Sequence, residues 1–194
     1  AHAEQGDDTL PAKATAGGDG GLTLRFDRAL SPGDATLVFQ FHRALLRTPG
    51  GVWRKKLDDH WYAFTRFQPD RARQAFPCFD QPEFKTPFTV AITAPQGHLV
   101  VANGPRGSSE PDGQGRVKHV FKATKPLPTY LVGFAVGPFD VVRSDGESEV
   151  PLRMITARGR RPLAGYALER AEELLGCMTD WVGRPYPFQK LDLL

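Results

Sequence analysis

Alternation of apolar and polar residues, typical of half-buried β-strands, recurs along most of the chain. The segments 22–26 and 36–42 each place apolar side chains on one side and polar side chains on the other. Pro32 and Gly33 between them favour a tight turn, so we expect these two segments to form a hairpin. Further predicted strands follow at spacings typical of a sandwich, at 61–67, 88–92, 99–102, 116–121, 130–136 and 150–155.

Two of these regions indicate where the sheet is covered and where it meets solvent. Apolar residues occupy both sides of 130–136, which predicts a central strand with both faces covered. The polar segment from Gly104 to Gly115 predicts a long hairpin connection at the surface. The basic run 54–56 is interpreted as a solvated loop.

The pattern changes to a helical period after Pro162. Apolar residues recur at helical spacing from Leu163 to Trp181, and Gly183 follows as a stop signal. We therefore expect an all-β, antiparallel domain over 1–157 and the start of a second domain over 158–194. Leu191 to Leu194 look like a strand that has only begun, so the natural protein is expected to continue.

Composition narrows the class of protein. The 194 residues are 40% hydrophobic and carry a formal charge of +3 with no concentrated basic surface, so nucleic acid is not expected as a partner. No segment is apolar enough to span a membrane, and we expect a soluble chain. The sequence leaves its compartment open and favours the cytoplasm over secretion. Cys78 and Cys177 leave a disulfide open, but two buried thiols are the favoured state.

Three motifs resemble one enzyme family. Residues 61–85 read WYAFTRFQPDRARQAFPCFDQPEFK, and the segments VANGP at 101–105 and LPTYLVGFAVG at 127–137 follow in order. They resemble the aminopeptidase N family of zinc metallopeptidases, with its Thr-Gln-Phe-Glu-Pro and Phe-Pro-Cys-Phe-Asp-Glu-Pro motifs. The segment 183–192 is similar to the beginning of that family's catalytic domain.

The resemblance implies a saddle-like antiparallel β-sandwich that packs on a thermolysin-like catalytic domain. The complete enzyme would use zinc to remove N-terminal residues from peptides. The family's Gly-Ala-Met-Glu-Asn loop and His-Glu-x-x-His zinc motif are absent from this chain, as are first strands of the domain. We therefore expect this chain to supply no catalytic residue and no zinc ligand, and to be inactive alone.

Gln68 is the first candidate for substrate binding, because it occupies the position where the family carries Glu or Gln for the peptide's α-ammonium. An amide oxygen is a suitable acceptor for that group. The alternative is a Gln that caps the turn before Pro69. Arg66 is the second candidate and departs from the family's usual Gln. Either an acidic neighbour neutralises it, or it faces the first side-chain pocket and favours acidic residues.

Other residues of the long motif are expected to be structural. Asp80, Glu83 and Lys85 are predicted to form structural pairs, residues 70–73 a short helical turn, and residues 76–79 part of the core. Two alternatives to an aminopeptidase domain remain. One is a non-catalytic relative that keeps the β-sandwich as an interaction scaffold, and the other is an unrelated β-sandwich binding module.

Overall fold

Antiparallel strands dominate the structure, a computed structural model that describes residues 1–18, 20–146, 148 and 150–194. One α-helix, α1, spans Ala164–Val182 near the carboxyl terminus. The predicted class, all-β and antiparallel with a single C-terminal helix, is confirmed. The strands found in the described residues are β1 His2–Gln5, β2 Asp8–Ala16, β3 Leu22–Phe26, β4 Thr36–Val38, β5 Gly51–Leu57, β6 His60–Arg66, β7 Ala91–Pro95, β8 Leu99–Ala102, β9 Arg106–Pro111, β10 Arg116–Phe121, β11 Phe134–Gly137, β12 Asp140–Arg143, β13 Leu152–Thr156 and β14 Leu191–Leu193.

These strands form four sheets. Their orders are β3-β2-β1-β4, β7-β10-β9, β5-β6-β11-β8 and β12-β13-β14. All pairs are antiparallel except β13 with β14, which run parallel. The predicted domain boundary after residue 157 is not tested by the sheet orders and stays a prediction.

The first sheet corrects the hairpin predicted between 22–26 and 36–42. Strand β3 pairs with β2, whereas β4 pairs with β1 on the far side of the sheet. The β1–β2 hairpin, whose buried residues are Ala3 and Leu10, lies between them and was not predicted. Only Thr36–Val38 of the second segment is a strand, and the side chain of Phe41 is exposed.

The third sheet contains the strand that was predicted to be central. β11 lies between β6 and β8, and its Ala135 is buried, so the central position is confirmed. The predicted strand 130–136 is shorter than expected, because Thr129–Leu131 form a 3₁₀ turn before β11 begins. The basic run 54–56, predicted to be a loop, lies in β5 at the edge of this sheet. Lys55 and Lys56 are exposed, whereas the Arg54 guanidinium lies 4.6 Å over the Trp61 ring.

The polar segment 104–115 is also corrected. Its residues 106–111 form β9, an edge strand in which every residue is exposed, and β9 pairs with β10 through a short turn. Edge strands with polar side chains discourage pairing with other molecules. Sequence hydrophobicity therefore missed a strand that carries no apolar face.

Two apolar clusters form the described core. One contains Phe67, Ala72, Leu127 and Val132, and the other contains Ala94, Val100, Ala102 and Phe121. Full burial of each large apolar side chain contributes about 1.5–3 kcal/mol relative to exposure. The first cluster lies directly beneath the turn that carries Gln68.

Helix α1 ends as its sequence predicts. Gly183 adopts a left-handed conformation with φ of 67° and donates its backbone N–H to Thr179 O. Leu168 is buried on the side that contacts β12 and β13. Many other apolar side chains of α1 and of Leu163, which precedes it, are exposed: Leu163, Tyr166, Leu174, Met178, Trp181 and Val182. No helix in the described part of the chain is long and apolar enough to cross a membrane.

Two predictions of burial were wrong. Both cysteines are free thiols, but Cys177 is exposed on α1 and Cys78 is only half-buried. Phe79, predicted to be core, is exposed and contacts Phe84 with tilted rings whose centroids are 5.5 Å apart. A short apolar run does not reveal which of its members turn outwards, because the turn between Phe76 and Asp80 has no regular period.

Candidate functional site

Strand β6 carries the long motif to the site. Its last residue, Arg66, pairs with Gly51 of β5. On the other side, the Thr65 hydroxyl donates to Phe134 O at 3.3 Å and accepts from Phe134 N–H at 2.9 Å. Because β6 is hydrogen-bonded on both sides, the position at which the next residues leave the strand is fixed.

The turn after β6 presents Gln68 to solvent. Phe67 is buried, at 2% exposure, and packs edge-on against Phe76 at 5.7 Å. Its carbonyl accepts the backbone N–H of Arg71 at 2.7 Å, which closes the turn over residues 68–70. Gln68, before a cis peptide bond to Pro69, is exposed.

Arg66 and Gln68 were expected to share one face of a strand. The strand ends at Arg66, so Gln68 lies in the turn instead, but both side chains are exposed on either side of buried Phe67. Within the described ranges, neither forms a side-chain hydrogen bond or an ion pair with another residue. The two structural alternatives were that Gln68 caps the turn and that an acidic neighbour neutralises Arg66. The described ranges contain no side-chain contact that supports either one.

Asp80 anchors the far end of this turn. Its Oδ2 accepts the backbone N–H and Nε–H of Arg73, both at 3.0 Å, and its Oδ1 accepts the Thr129 hydroxyl at 2.5 Å. Burial alone would raise the pKa of Asp80, but the hydrogen bonds from Thr129 and Arg73 outweigh it and hold this pKa below its ordinary value. The predicted structural role of Asp80 is confirmed. Glu83 and Lys85 form no ion pair in the described part of the chain.

The short helical turn predicted at 70–73 is a 3₁₀ turn over Ala72–Gln74. It packs against the start of β5, where Gly50 has φ of 144° and the Arg71 guanidinium lies over its backbone. The positive φ of Gly50 is a backbone conformation that other residues rarely adopt, so this position favours glycine. The turn is thus held from the β5 side as well.

Two residues of the matched motifs received no role from the sequence. Thr129 holds Asp80, and Asn103 bridges the same loop by donating to Leu131 O at 2.9 Å and accepting from Gly133 N–H at 2.6 Å. Short polar residues in loops commonly bond to nearby backbone. Their partners lie about 30 to 50 residues away, however, and a pattern in one segment does not report them.

A cavity of about 500 Å³ lies beside this loop, between the third sheet and the segment 186–194. Thr65, Asn103 and Leu131 contribute to its wall together with Lys190 and Asp192. Arg66 and Gln68 do not line it. The candidate site is therefore the exposed turn itself and not this cavity.

The described residues do not fit a zinc site of their own. Nowhere in the ranges 1–18, 20–146, 148 and 150–194 do three or more His, Cys, Asp or Glu side chains come close enough to hold a metal ion. Burial raises the pKa of the Cys78 thiol to about 11, which makes it a poor ligand and a poor nucleophile at neutral pH. The site offers an amide acceptor and a cation, which suit binding and orientation.

Comparison with known proteins agrees with this picture. The family model of the peptidase M1 N-terminal domain matches residues 3–131. Endoplasmic reticulum aminopeptidase 1 of Homo sapiens is 35% identical over 153 residues, covering 79% of this chain and 16% of the relative. Puromycin-sensitive aminopeptidase of Caenorhabditis elegans is 31% identical over 180 residues, covering 89% and 19%.

A bacterial relative, aminopeptidase N of Acetobacter pasteurianus, is 29% identical over 180 residues and is covered over 50% of its length. The chain thus spans half or less of each of these relatives. The resemblance inferred from the motifs is confirmed. The match of the family model over 129 of 194 residues, in a mostly β chain, means that this chain belongs to the zinc-dependent peptidase M1 family, as its N-terminal domain.

Proposed function

We propose that this domain recognises the free amino end of a peptide in a zinc aminopeptidase, with Gln68 as the acceptor for the α-ammonium. The observation that carries the proposal is the turn at 67–71, which buries Phe67 and exposes the Gln68 side chain, for which the described residues supply no hydrogen-bond partner. Because the backbone of this turn is already ordered, only the Gln68 side chain has to lose conformational freedom when it binds.

Arg66 is the basis of a proposed substrate preference. A cation beside the amine acceptor repels an α-ammonium, which raises the cost of binding unless the substrate supplies a negative charge. An acidic first side chain supplies that charge, and a guanidinium binds a carboxylate through two parallel hydrogen bonds. We therefore propose a preference for peptides that begin with glutamate or aspartate.

The domain's proposed partner is the catalytic domain of the same protein. The exposed apolar side chains of α1, which lies in the predicted second domain over 158–194, form a surface of the kind that soluble monomers rarely leave uncovered. Hydrogen exchange compares α1 in this chain and in the full-length protein. Slower exchange in the full-length protein supports a covering catalytic domain, and equal exchange contradicts it.

The test of the proposed function is Gln68→Ala in the full-length protein, assayed on aminoacyl anilides. A hydrogen bond to a charged group contributes about 1.5–3 kcal/mol, so KM is expected to rise roughly ten- to a hundredfold with little change in kcat. Gln68→Glu is expected to lower KM, because a carboxylate binds an ammonium more tightly than an amide does.

Asp59→Ala serves as the control, since this side chain lies on the exposed β5–β6 turn at the other end of β6. Unchanged KM for both Gln68 variants would remove the proposed role. For the isolated chain, we propose neither peptidase activity nor stoichiometric zinc. Activity of the purified chain that rises and falls with bound zinc would contradict this part.

A further inference from the structure

We propose that Asp80 is a positioning residue for substrate binding: by joining Arg73 to Thr129, it sets where the turn holds the Gln68 side chain. The proposal rests on the function proposed for Gln68. It adds a residue that does not touch the peptide and acts through the turn.

Asp80 lies where two loops cross, and its carboxylate accepts three hydrogen bonds from them. One loop is 67–80, which contains Gln68, and the other is 127–133, which is fastened to Asn103. The bonds to Arg73 and Thr129 measure 2.5–3.0 Å, and the carboxylate is 6% exposed. Such short, charge-assisted bonds constrain both loops at once.

Gln68 lies between two fixed points. Phe67 is held by the apolar cluster, and Arg73 is held by Asp80. Only five residues separate these anchors, and the Phe67 carbonyl bond to Arg71 shortens the free part to residues 68–70. Ala72, buried in the same cluster as Phe67, also holds this end of the turn. A change at Asp80 removes the polar contact that fixes the turn relative to the loop 127–133, and is expected to shift it.

Position matters because a hydrogen bond weakens steeply with distance and angle. A displacement of the Gln68 amide by about 1 Å is enough to lose most of a bond to the α-ammonium. The expected consequence is weaker binding of the peptide with an unchanged chemical step. This differs from a general loss of fold, which removes active enzyme without changing KM.

The experiment is a double-mutant cycle in the full-length protein. Thr129→Val removes the hydroxyl that donates a hydrogen bond to Asp80 and keeps the shape of the side chain. Thr129→Ser keeps the hydroxyl. We expect Thr129→Val to raise KM for an aminoacyl anilide about three- to tenfold with kcat unchanged, and Thr129→Ser to return KM close to that of the parent. Arg73→Gln, a change at a partly exposed side chain, provides a second route if Thr129→Val does not fold.

Thr129→Val and Arg73→Gln are each also combined with Gln68→Ala. If Asp80 acts through Gln68, the Thr129→Val effect shrinks to less than about twofold in that background. The control is Ser109→Ala, which deletes a hydroxyl bonded to His119 at 2.8 Å in the β7-β10-β9 sheet and is expected to leave KM unchanged.

The outcomes separate the two proposals. If Gln68→Ala raises KM and Thr129→Val raises it equally in both backgrounds, or lowers only the amount of active enzyme, the positioning role of Asp80 is wrong and the function of Gln68 stands. If Gln68→Ala leaves KM unchanged, the function of Gln68 is wrong, and the role of Asp80 falls with it.

Discussion

The carboxylate of Asp80 and the hydroxyl of Thr129 are 49 residues apart in the chain and 2.5 Å apart in space. Both side chains are buried. This bond connects the motif that carries Gln68 to the loop that precedes β11. The two most characteristic segments of the sequence are thereby one structural unit.

The lowered pKa of Asp80 predicts how stability depends on pH. A carboxyl whose pKa is lower in the folded state stabilises the fold above its unfolded pKa, near 3.9, and loses this contribution as the pH falls through the folded pKa. We expect Asp80→Asn to lower the free energy of unfolding by about 1–3 kcal/mol at pH 7 and by less at pH 3. Urea unfolding at the two pH values measures the difference, and an equal loss at both would contradict it.

Replacement of Arg66 is expected to change substrate preference. In the full-length protein, Arg66→Gln removes the cation beside Gln68, so kcat/KM should fall for glutamyl and aspartyl anilides and rise for alanyl anilide. A shift of the ratio by about tenfold corresponds to about 1.4 kcal/mol. Arg66→Lys keeps the charge and is the matched control. An unchanged ratio in Arg66→Gln would rule out the acidic preference.

The two thiols are expected to react at different rates. Cys177 is exposed on α1, whereas Cys78 is half-buried with a pKa of about 11. Since the thiolate is the reactive form, a thiol reagent at pH 8 should label Cys177 first. Cys177→Ser should abolish the fast phase and Cys78→Ser the slow phase. Fast labelling in the Cys177→Ser variant would contradict the burial of Cys78.

The pair between Arg153 and Asp192 is expected to hold β14 to β13. Arg153 donates from Nε and Nη2 to the two carboxylate oxygens at 2.6 and 2.8 Å, and the Asp192 side chain is 4% exposed. Arg153→Met leaves this buried carboxylate with one cation, Lys190, and should cost about 3 kcal/mol of unfolding free energy.

Arg28→Met is the matched control for that variant. It removes the exposed pair with Asp8, in which both side chains are more than 60% exposed, and should cost less than about 1 kcal/mol. Chemical denaturation compares the two variants. Equal losses would indicate that the pair at β14 contributes no more than a surface contact.

Much of the fold could be predicted from local patterns. Helix α1 and its glycine stop, the strands β3, β6, β8 and β10, and the central position of β11 followed from periodicity. In contrast, β1, β2, β5, β9 and β12 were missed, because edge strands and short hairpins carry too few apolar side chains to produce a period. Strand β3 pairs with β2, and β4 pairs with β1. The turn residues around Pro32 predicted a β3–β4 hairpin instead, because they carry no information about β1 and β2.

The sequence by itself determined the family, the class of fold and the two candidate residues, because a long motif and hydrophobic periodicity are local properties. Only the tertiary structure decided that β6 ends before Gln68, that Phe67 is buried beneath it, and that Asp80 binds Thr129. These facts depend on contacts between segments distant in sequence. Burial and hydrogen bonding are settled by which segments meet, and no pattern within one segment contains that information.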